Sequence, residues 1–322
     1  MKNKKILFTL AEDELRSNDS TFAVKYSVDE EDCFDFSTGL KNLDHSVYFV
    51  NWKDLDFNKG EFSRMFDDNT KSFIEPLSIH EMDLIFIYKQ EGFLFDIPKF
   101  YSMLDIFDST SALKINDTKT IRKNMSKEYL MDLSKAGISS VPTYYIDDVV
   151  LKRIDKGEEF VIKPKIGERG TSLKKISSLD ELNSFDNLDD YLAQEFSPDI
   201  RNGERSLVFL GKEYSHAVIK NPNPEDPNEY RCNESLGGTV AVYEPTEKEL
   251  SFCNSILNYW ESSGYPVHFS RIDLLVSDSG NPSVLEAELL NPSIYANYSG
   301  IGKEFGNKIA EYFNSQLELV KK

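Results

Sequence analysis

In the first third of the chain, apolar residues come in short unbroken blocks separated by polar stretches: Ile6-Leu7-Phe8, Val47-Tyr48-Phe49-Val50 and Leu84-Ile85-Phe86-Ile87. Runs of this length, rich in β-branched and aromatic side chains, predict strands covered on both faces, as in an open α/β sheet. Leu113 to Asn116 is a fourth candidate strand, after a helical stretch beyond Pro98. The chain up to about residue 116 therefore reads as one α/β unit. Its first strand runs into Ala11-Glu12-Asp13-Glu14 rather than a glycine-rich turn, so a dinucleotide fingerprint is missing where it would have to be.

The pattern then changes. Tyr129, Leu130 and Leu133 recur at helical spacing between Ser126 and Gly137, with Pro142 beyond, which predicts a helix with a serine cap and a glycine stop. From Phe160 the order is strand, glycine-containing loop and strand, followed by a helix capped by Ser178. After Asp190 come longer candidate strands, Tyr191–Phe196, Ser206–Leu210, Tyr214–Ile219 and Val240–Val242, expected to form a largely antiparallel sheet with a helix over Thr246–Glu261 packed on it. His268–Val276 and Ser283–Leu289 are two more strands joined by a turn, and a helix from about Ile301 to Leu319 follows. Three units are expected: residues 1–116, 117–190 and 191–322.

The chain's 322 residues suffice for two or three such units. Its 37 Lys and Arg against 55 Asp and Glu leave a formal charge of −18, which repels a phosphate backbone and argues against nucleic-acid binding. Cys33, Cys232 and Cys253 are odd in number and scattered, so neither a disulfide framework nor a thiolate metal site is expected. The opening MKNKKILFTLAEDE is too short in apolar residues for a secretory leader, and no stretch approaches the ~18 apolar residues that span a bilayer. A cytoplasmic protein without membrane contact is expected.

Two segments carry candidate chemistry. In VIKPKIGERGTSL, Lys163 ends an apolar strand and Gly167 and Gly170 stand in the loop after it; glycines let backbone N–H groups approach phosphate oxygens, and the lysine supplies a fixed charge. The GK[ST] ending of a Walker loop is missing. Farther on, Arg271-Ile272-Asp273 precedes Glu286 and Glu288, which share one face of their strand by the two-residue period. Adjacent antiparallel strands bring three carboxylates together among apolar neighbours, an arrangement that calls for cations, and hard oxygen donors near phosphate imply magnesium.

Taken in order, these segments resemble the ATP-grasp superfamily, in particular its glutathione-synthetase-like and peptide-ligase members. The matches run from Asn116 through Lys127 to Pro142, then VIKP with its glycine loop, AQEF, GERSLVF, LGG, RIDLL and VLEAELLNPS, about two thirds of the chain. The resemblance implies an α/β (α+β) ATP-grasp fold, in which an N-terminal open sheet is followed by two subdomains gripping ATP. It implies that Lys127 and Lys163 hold the nucleotide phosphates under a lid containing Gly167, Gly170, Thr171 and Ser172. Gln194, Glu195 and Phe196 would line adenine and Glu204 would meet the ribose. Lys220, Arg231 and Arg271 would be catalytic, Asp273, Glu286 and Glu288 would bind Mg2+, and Asn291 and Ser293 would touch substrate. In the family pattern the last metal ligand is commonly Asn, where this chain has Glu288. The implied activity is ATP-dependent joining of a small carboxylate to an amine through an acyl phosphate. The alternatives are a phosphotransferase and an ATP-binding regulatory module, and assembly as a homodimer is left open. His216, His268 and the three cysteines are expected to be packing or surface residues rather than catalysts.

Overall fold

The computed structural model describes residues 3–10, 36–90, 92–168, 170, 172–296, 298 and 300–320. Its first part comprises β1 (Lys5–Leu10), helical residues 36–42 (α1), β2 (Ser46–Asn51), a small hairpin of β3 (Leu55–Asp56) and β4 (Glu61–Phe62), β5 (Met65–Asp67), β6 (Ser72–Ile74), β7 (Leu84–Ile87), α2 (Ile97–Asp108) and β8 (Leu113–Ile115). Six of these strands form one sheet in the order β6-β5-β2-β1-β7-β8. The four apolar blocks of the sequence are its four parallel strands β2-β1-β7-β8, and Ile6, Leu7, Phe8 and Leu84 to Phe86 are fully buried, as two-sided coverage requires. β5 and β6, three residues each with two apolar side chains apiece, extend it antiparallel, runs too short to stand out in the sequence.

The second part holds α3 (Thr118–Met125), α4 (Tyr129–Lys135), β9 (Thr143–Tyr145), α5 (Asp148–Asp155), β10 (Phe160–Pro164), β11 (Lys174–Ile176) and β12 (Tyr191–Glu195). Two helices stand where one was expected. Asp117 caps α3 by accepting from the Lys119 N–H, so Ser126 ends that helix instead of starting the next. The segment after Ser178 is a 3-10 turn, Leu179–Ser184, closed by Glu181 reaching back to Ser178. The four strands pair as β11-β10-β12-β9. Tyr191–Glu195 thus lies between β10 and β9, with Lys163 opposite Leu192, and not in the later sheet where the sequence reading placed it.

The third part is antiparallel: β13 (Glu204–Leu210), β14 (Glu213–Asn221), β15 (Thr239–Val242), helix α6 (Glu247–Ser262), β16 (Phe269–Val276) and β17 (Pro282–Glu288), with α7 (Gly302–Leu319) last. Its sheet order is β15-β14-β13-β16-β17. One face packs on α4 and α6 through Leu207, Ile272, Leu257 and Trp260. A separate core joins Ile6, Phe8, Val47 and Phe86 of the first sheet to Phe305, Ile309 and Phe313 of α7 and to Val208 and Phe269 of the third sheet. Among the described residues no helix is long and apolar enough to cross a membrane.

β17 lies at the sheet's margin, yet its outward N–H and C=O groups are paired. Val284 exchanges hydrogen bonds with the main chain at Ser139 and Val141 (3.0 and 2.9 Å). Ala287 donates to the Tyr129 hydroxyl (2.8 Å), and its carbonyl accepts from Asn124 Nδ2 (2.8 Å). Just beyond the strand, Leu289 donates to Asn124 Oδ1 (3.0 Å) and accepts from Asn116 Nδ2 (2.8 Å). Asn116, fully enclosed at the end of the first unit, also donates to the Phe269 carbonyl (2.6 Å) and accepts from the His268 and Phe269 N–H groups (2.7 and 2.9 Å). Asn116→Ala strands two donors and two acceptors in the interior and should lower the unfolding free energy by roughly 2–4 kcal/mol, measured by urea denaturation. A loss below about 1 kcal/mol would mean that water reaches these groups.

Candidate active site

β16 and β17 carry the charged centre. Their register sets Asp273 opposite Glu286 and Arg271 opposite Glu288. The pairing slips beside Asp273, leaving Leu285 as an extra residue on β17, and the bulge lets Leu285 and Glu286 line the same cavity. Asp273 is 2% exposed and takes Arg271 Nε and Nη2 at 2.9 and 2.8 Å, Ser206 Oγ at 2.6 Å and Lys220 Nζ at 3.9 Å. Burial would raise its carboxyl pKa, but Arg271 and Lys220 outweigh that and hold it low. Arg271 uses its remaining donors on the Ser293 carbonyl (2.9 Å) and Glu288 (2.6 Å). Glu286 pairs with Lys127 at 2.8 Å, and Lys220 pairs with Glu204, its cross-strand neighbour. Buried charges are thus matched in pairs, as a low-dielectric interior demands.

Lys163 faces this cluster from β10 and Lys127 from the turn between α3 and α4, where its ammonium also donates to the Gly167 carbonyl of the loop after β10 (2.6 Å). Burial lowers Lys163 to about 8; Glu286 opposes the shift and Lys127 adds to it. Away from the charges the same cavity is a slot walled by Val141, Val161, Ile200, Leu275, Phe196 and Tyr230. Cys232 also borders it, its thiol pushed up to about 12 by burial. The slot escaped sequence reading, because its walls come from segments far apart in the chain.

Lys127, Lys163, Gly167, Gly170, Gln194, Glu195, Phe196, Glu204, Lys220, Arg231, Arg271, Asp273, Glu286 and Glu288 all line this cavity. Ser172 is exposed at φ +61° and stands outside the lining, while Thr171 and Cys33 lie outside the described residues. Several of the side chains are already engaged. Gln194 Nε2 donates to Thr143 (3.0 Å), and the Glu195 carboxylate accepts from Arg153 (2.6 Å) and the Tyr144 hydroxyl (3.0 Å), so both side chains are engaged within the protein. The Arg231 fork is closed on Glu229 (2.9 and 2.8 Å). His216 packs on Phe305 and His268 on Tyr312, and Cys253 is in the α6 core.

A second chamber adjoins the first across a shared wall that includes Lys127, Lys220, Arg271, Glu286 and Glu288. Asn291 and Ser293 line it, together with Glu168 of the lid. Asn291, at φ +56°, accepts from the Gln90 N–H (2.7 Å) and donates to Glu168 (3.0 Å), so one side chain joins the first sheet, the third part and the lid. Glu168 and Gln90 had no signature in the sequence.

Among the described residues no three acidic, histidine or cysteine side chains converge as a preformed chelate, because each carboxylate is turned to a cation. The donor chemistry still fits magnesium: Glu286 and Glu288 are hard oxygen donors whose side chains remain about a quarter exposed, at 26% and 25%, toward the cavity. Magnesium keeps waters and phosphate oxygens, so one or two carboxylates suffice.

No family model matches the chain. It is similar to the glutathione synthetases of Agrobacterium fabrum, 24% identical over 152 residues (45% of this chain, 46% of the relative), and of Nostoc sp., 24% identical over 202 residues (58% of each). The chain spans about half the length of the curated relatives it matches. Among solved structures it is similar to a D-cycloserine synthetase, with TM-score 0.73 and 17% identity over 97% of this chain and 99% of that one.

Asp273→Asn keeps the shape of the centre but removes the anion held between Arg271 and Lys220. It should lower stability by roughly 3 kcal/mol, read by chemical denaturation. Stability within about 0.5 kcal/mol of the parent would show that Glu204 and Glu288 neutralise both cations unaided.

Proposed function

We propose that this chain is a member of the ATP-grasp superfamily, an ADP-forming ligase that activates a carboxylate with ATP and joins it to an amine. One observation carries the reading: four cationic side chains, Lys127, Lys163, Lys220 and Arg271, meet Asp273, Glu286 and Glu288 where an apolar slot opens into a second chamber. A purine suits the slot, its phosphates suit the lysines, and the second chamber leaves room for the groups to be joined. The names of the proteins it is similar to, glutathione synthetase and D-cycloserine synthetase, point the same way.

In this reading Lys127 and Lys163 hold the phosphates while the lid loop, with Gly167, Gly170, Thr171 and Ser172, closes over them. The main chain of Gln194, Glu195 and Phe196 meets the adenine edge, and Glu204 the ribose. The substrate carboxylate attacks the γ-phosphate in line and ADP leaves; the amine then attacks the acyl carbon and phosphate departs. Lys220, Arg231 and Arg271 take up negative charge on the transferring group, which is the main contribution a protein makes to phosphoryl transfer. Magnesium, held by Asp273, Glu286 and Glu288, would supply further neutralisation of the phosphates. Lys127 and Glu286 now neutralise one another, so a phosphate arriving at one is best matched by a cation arriving at the other. Asn291 and Ser293 border the substrates. The units up to about residue 116, from there through β12, and beyond it would act as base, lid and catalytic floor of a cytoplasmic enzyme.

A screen of amino acids and short peptides for stimulated ADP release, with mass spectrometry of the product, tests this. An amide is expected; a stably phosphorylated product would make the chain a phosphotransferase, and no stimulation by any pair would make it a binding module. Lys163→Ala should weaken ATP binding by about tenfold or more in calorimetry. Arg231→Ala should retain ATP affinity yet lose substrate-dependent ADP release by about a hundredfold. Parent-like turnover in that variant would mark the Glu229 pair as a loop contact alone.

A further inference from the structure

In the segment after β17, Ile294 and Ala296 are sealed in the core shared with α7, while Tyr295 between them lines both chambers. Its neighbours hold the segment in place. Arg271 Nη1 donates to the Ser293 carbonyl (2.9 Å), His216 Nε2 donates to the Ile294 carbonyl (2.5 Å), and the Tyr298 hydroxyl donates to Glu234 (2.5 Å). Tyr295 itself sits at φ +55°, in the left-handed region that a bulky side chain seldom occupies. Backbone strain of this kind persists where surrounding contacts over-determine it, and it collects at functional sites.

The strained residue presents its ring to two cations. Lys220 Nζ and the Arg271 guanidinium each stand 5.7 Å from the ring centroid. Both side chains are buried and both reach Asp273, at 3.9 and 2.8 Å, so two like charges share one carboxylate and repel each other. An aromatic face attracts a cation through its quadrupole, most strongly where water is kept away.

We propose that Tyr295 is a positioning residue whose ring fixes Lys220 and Arg271 at the wall between the chambers, so that both charges are already aimed when a phosphoryl group is transferred there. The inference rests on the proposed function only for the transfer of that group, and it holds whether the acceptor is a carboxylate or a hydroxyl. Without the ring each cation has another partner at hand, Glu204 for Lys220 and Glu288 for Arg271. The transferring group would then have to draw the cations back, and that reorganisation is what preorganised charge avoids. Tyr295 acts through the two cations and exchanges no proton.

The test is calorimetric binding of ADP with magnesium, with and without aluminium fluoride, which together with ADP mimics the transferring phosphoryl group. Aluminium fluoride should tighten ADP binding by the parent about a hundredfold or more. Tyr295→Phe should keep that gain. Tyr295→Leu, apolar but without a π face, should lose about tenfold of it while its ADP affinity and melting temperature stay near those of the parent. Tyr295→Asn, whose side chain accepts left-handed backbone more readily, repeats the measurement without the strain and should lose the gain in the same way. No gain in the parent, an undiminished gain in Tyr295→Leu and Tyr295→Asn, loss of the gain in Tyr295→Phe, or a fall in ADP affinity as large as the fall in the gain overturns the proposal. Product analysis on the parent separates the two readings. A ring-dependent gain without amide formation from any carboxylate and amine sinks the ligase reading and leaves the role of Tyr295, whereas amide formation with a gain indifferent to the ring sinks that role and leaves the ligase.

Discussion

The margin of β17 is the constraint on which the rest depends. A strand bearing two glutamates beside a buried aspartate has strong electrostatic reasons to leave the interior, and a marginal strand has few main-chain bonds to resist. Here Asn116, Asn124 and the Tyr129 hydroxyl, with the main chain at Ser139 and Val141, stand in for a missing sixth strand. The polypeptide that links the first sheet to the lid thereby fixes the height at which Glu286 and Glu288 stand. It also places Lys127 in the turn before α4, three residues after Asn124. Lys127 and the carboxylates of Glu286 and Glu288 are in this way referenced to the same short segment, the positional control that the proposed chemistry would require.

Charge pairing supplies the second layer. Arg271 touches Asp273, Glu288 and the Ser293 carbonyl, so its five donors are directed to both chambers at once. Replacing it with lysine would keep the charge and lose the fork. The ion pairs are also exchangeable, since Glu286 and Glu288 remain partly open to the cavity while Asp273 is sealed.

The features legible in the sequence were those with a local physical cause. Ile6 to Phe8 and Leu84 to Ile87 read as buried strands because coverage on two faces leaves no polar alternation. Asp273, Glu286 and Glu288 stood out as carboxylates among aliphatic residues. Other features had no local mark. Thr118–Met125 is a helix with few apolar residues, held by the Asp117 cap and by tertiary contacts such as Asn124 with Leu289. The Leu285 bulge depends on pairing with β16, and no composition encodes it. The apolar slot and the second chamber are built from side chains tens to hundreds of positions apart, Phe93 and Asn291 among them, and only the folded chain brings them into reach.

The core shared by β1, β2 and β7 with α7 has a consequence for biosynthesis. Ile6, Phe8 and Val47 are made some 250 residues before Phe305, Ile309 and Phe313, which cover them. The first sheet must therefore wait with an uncovered apolar face while some 200 intervening residues are synthesised, on the order of ten seconds or more at typical rates of translation. Such a face is a natural client for a holding chaperone, and the lid, whose core of Val150, Ile154, Phe160 and Ala193 is drawn from one continuous stretch, has no such delay.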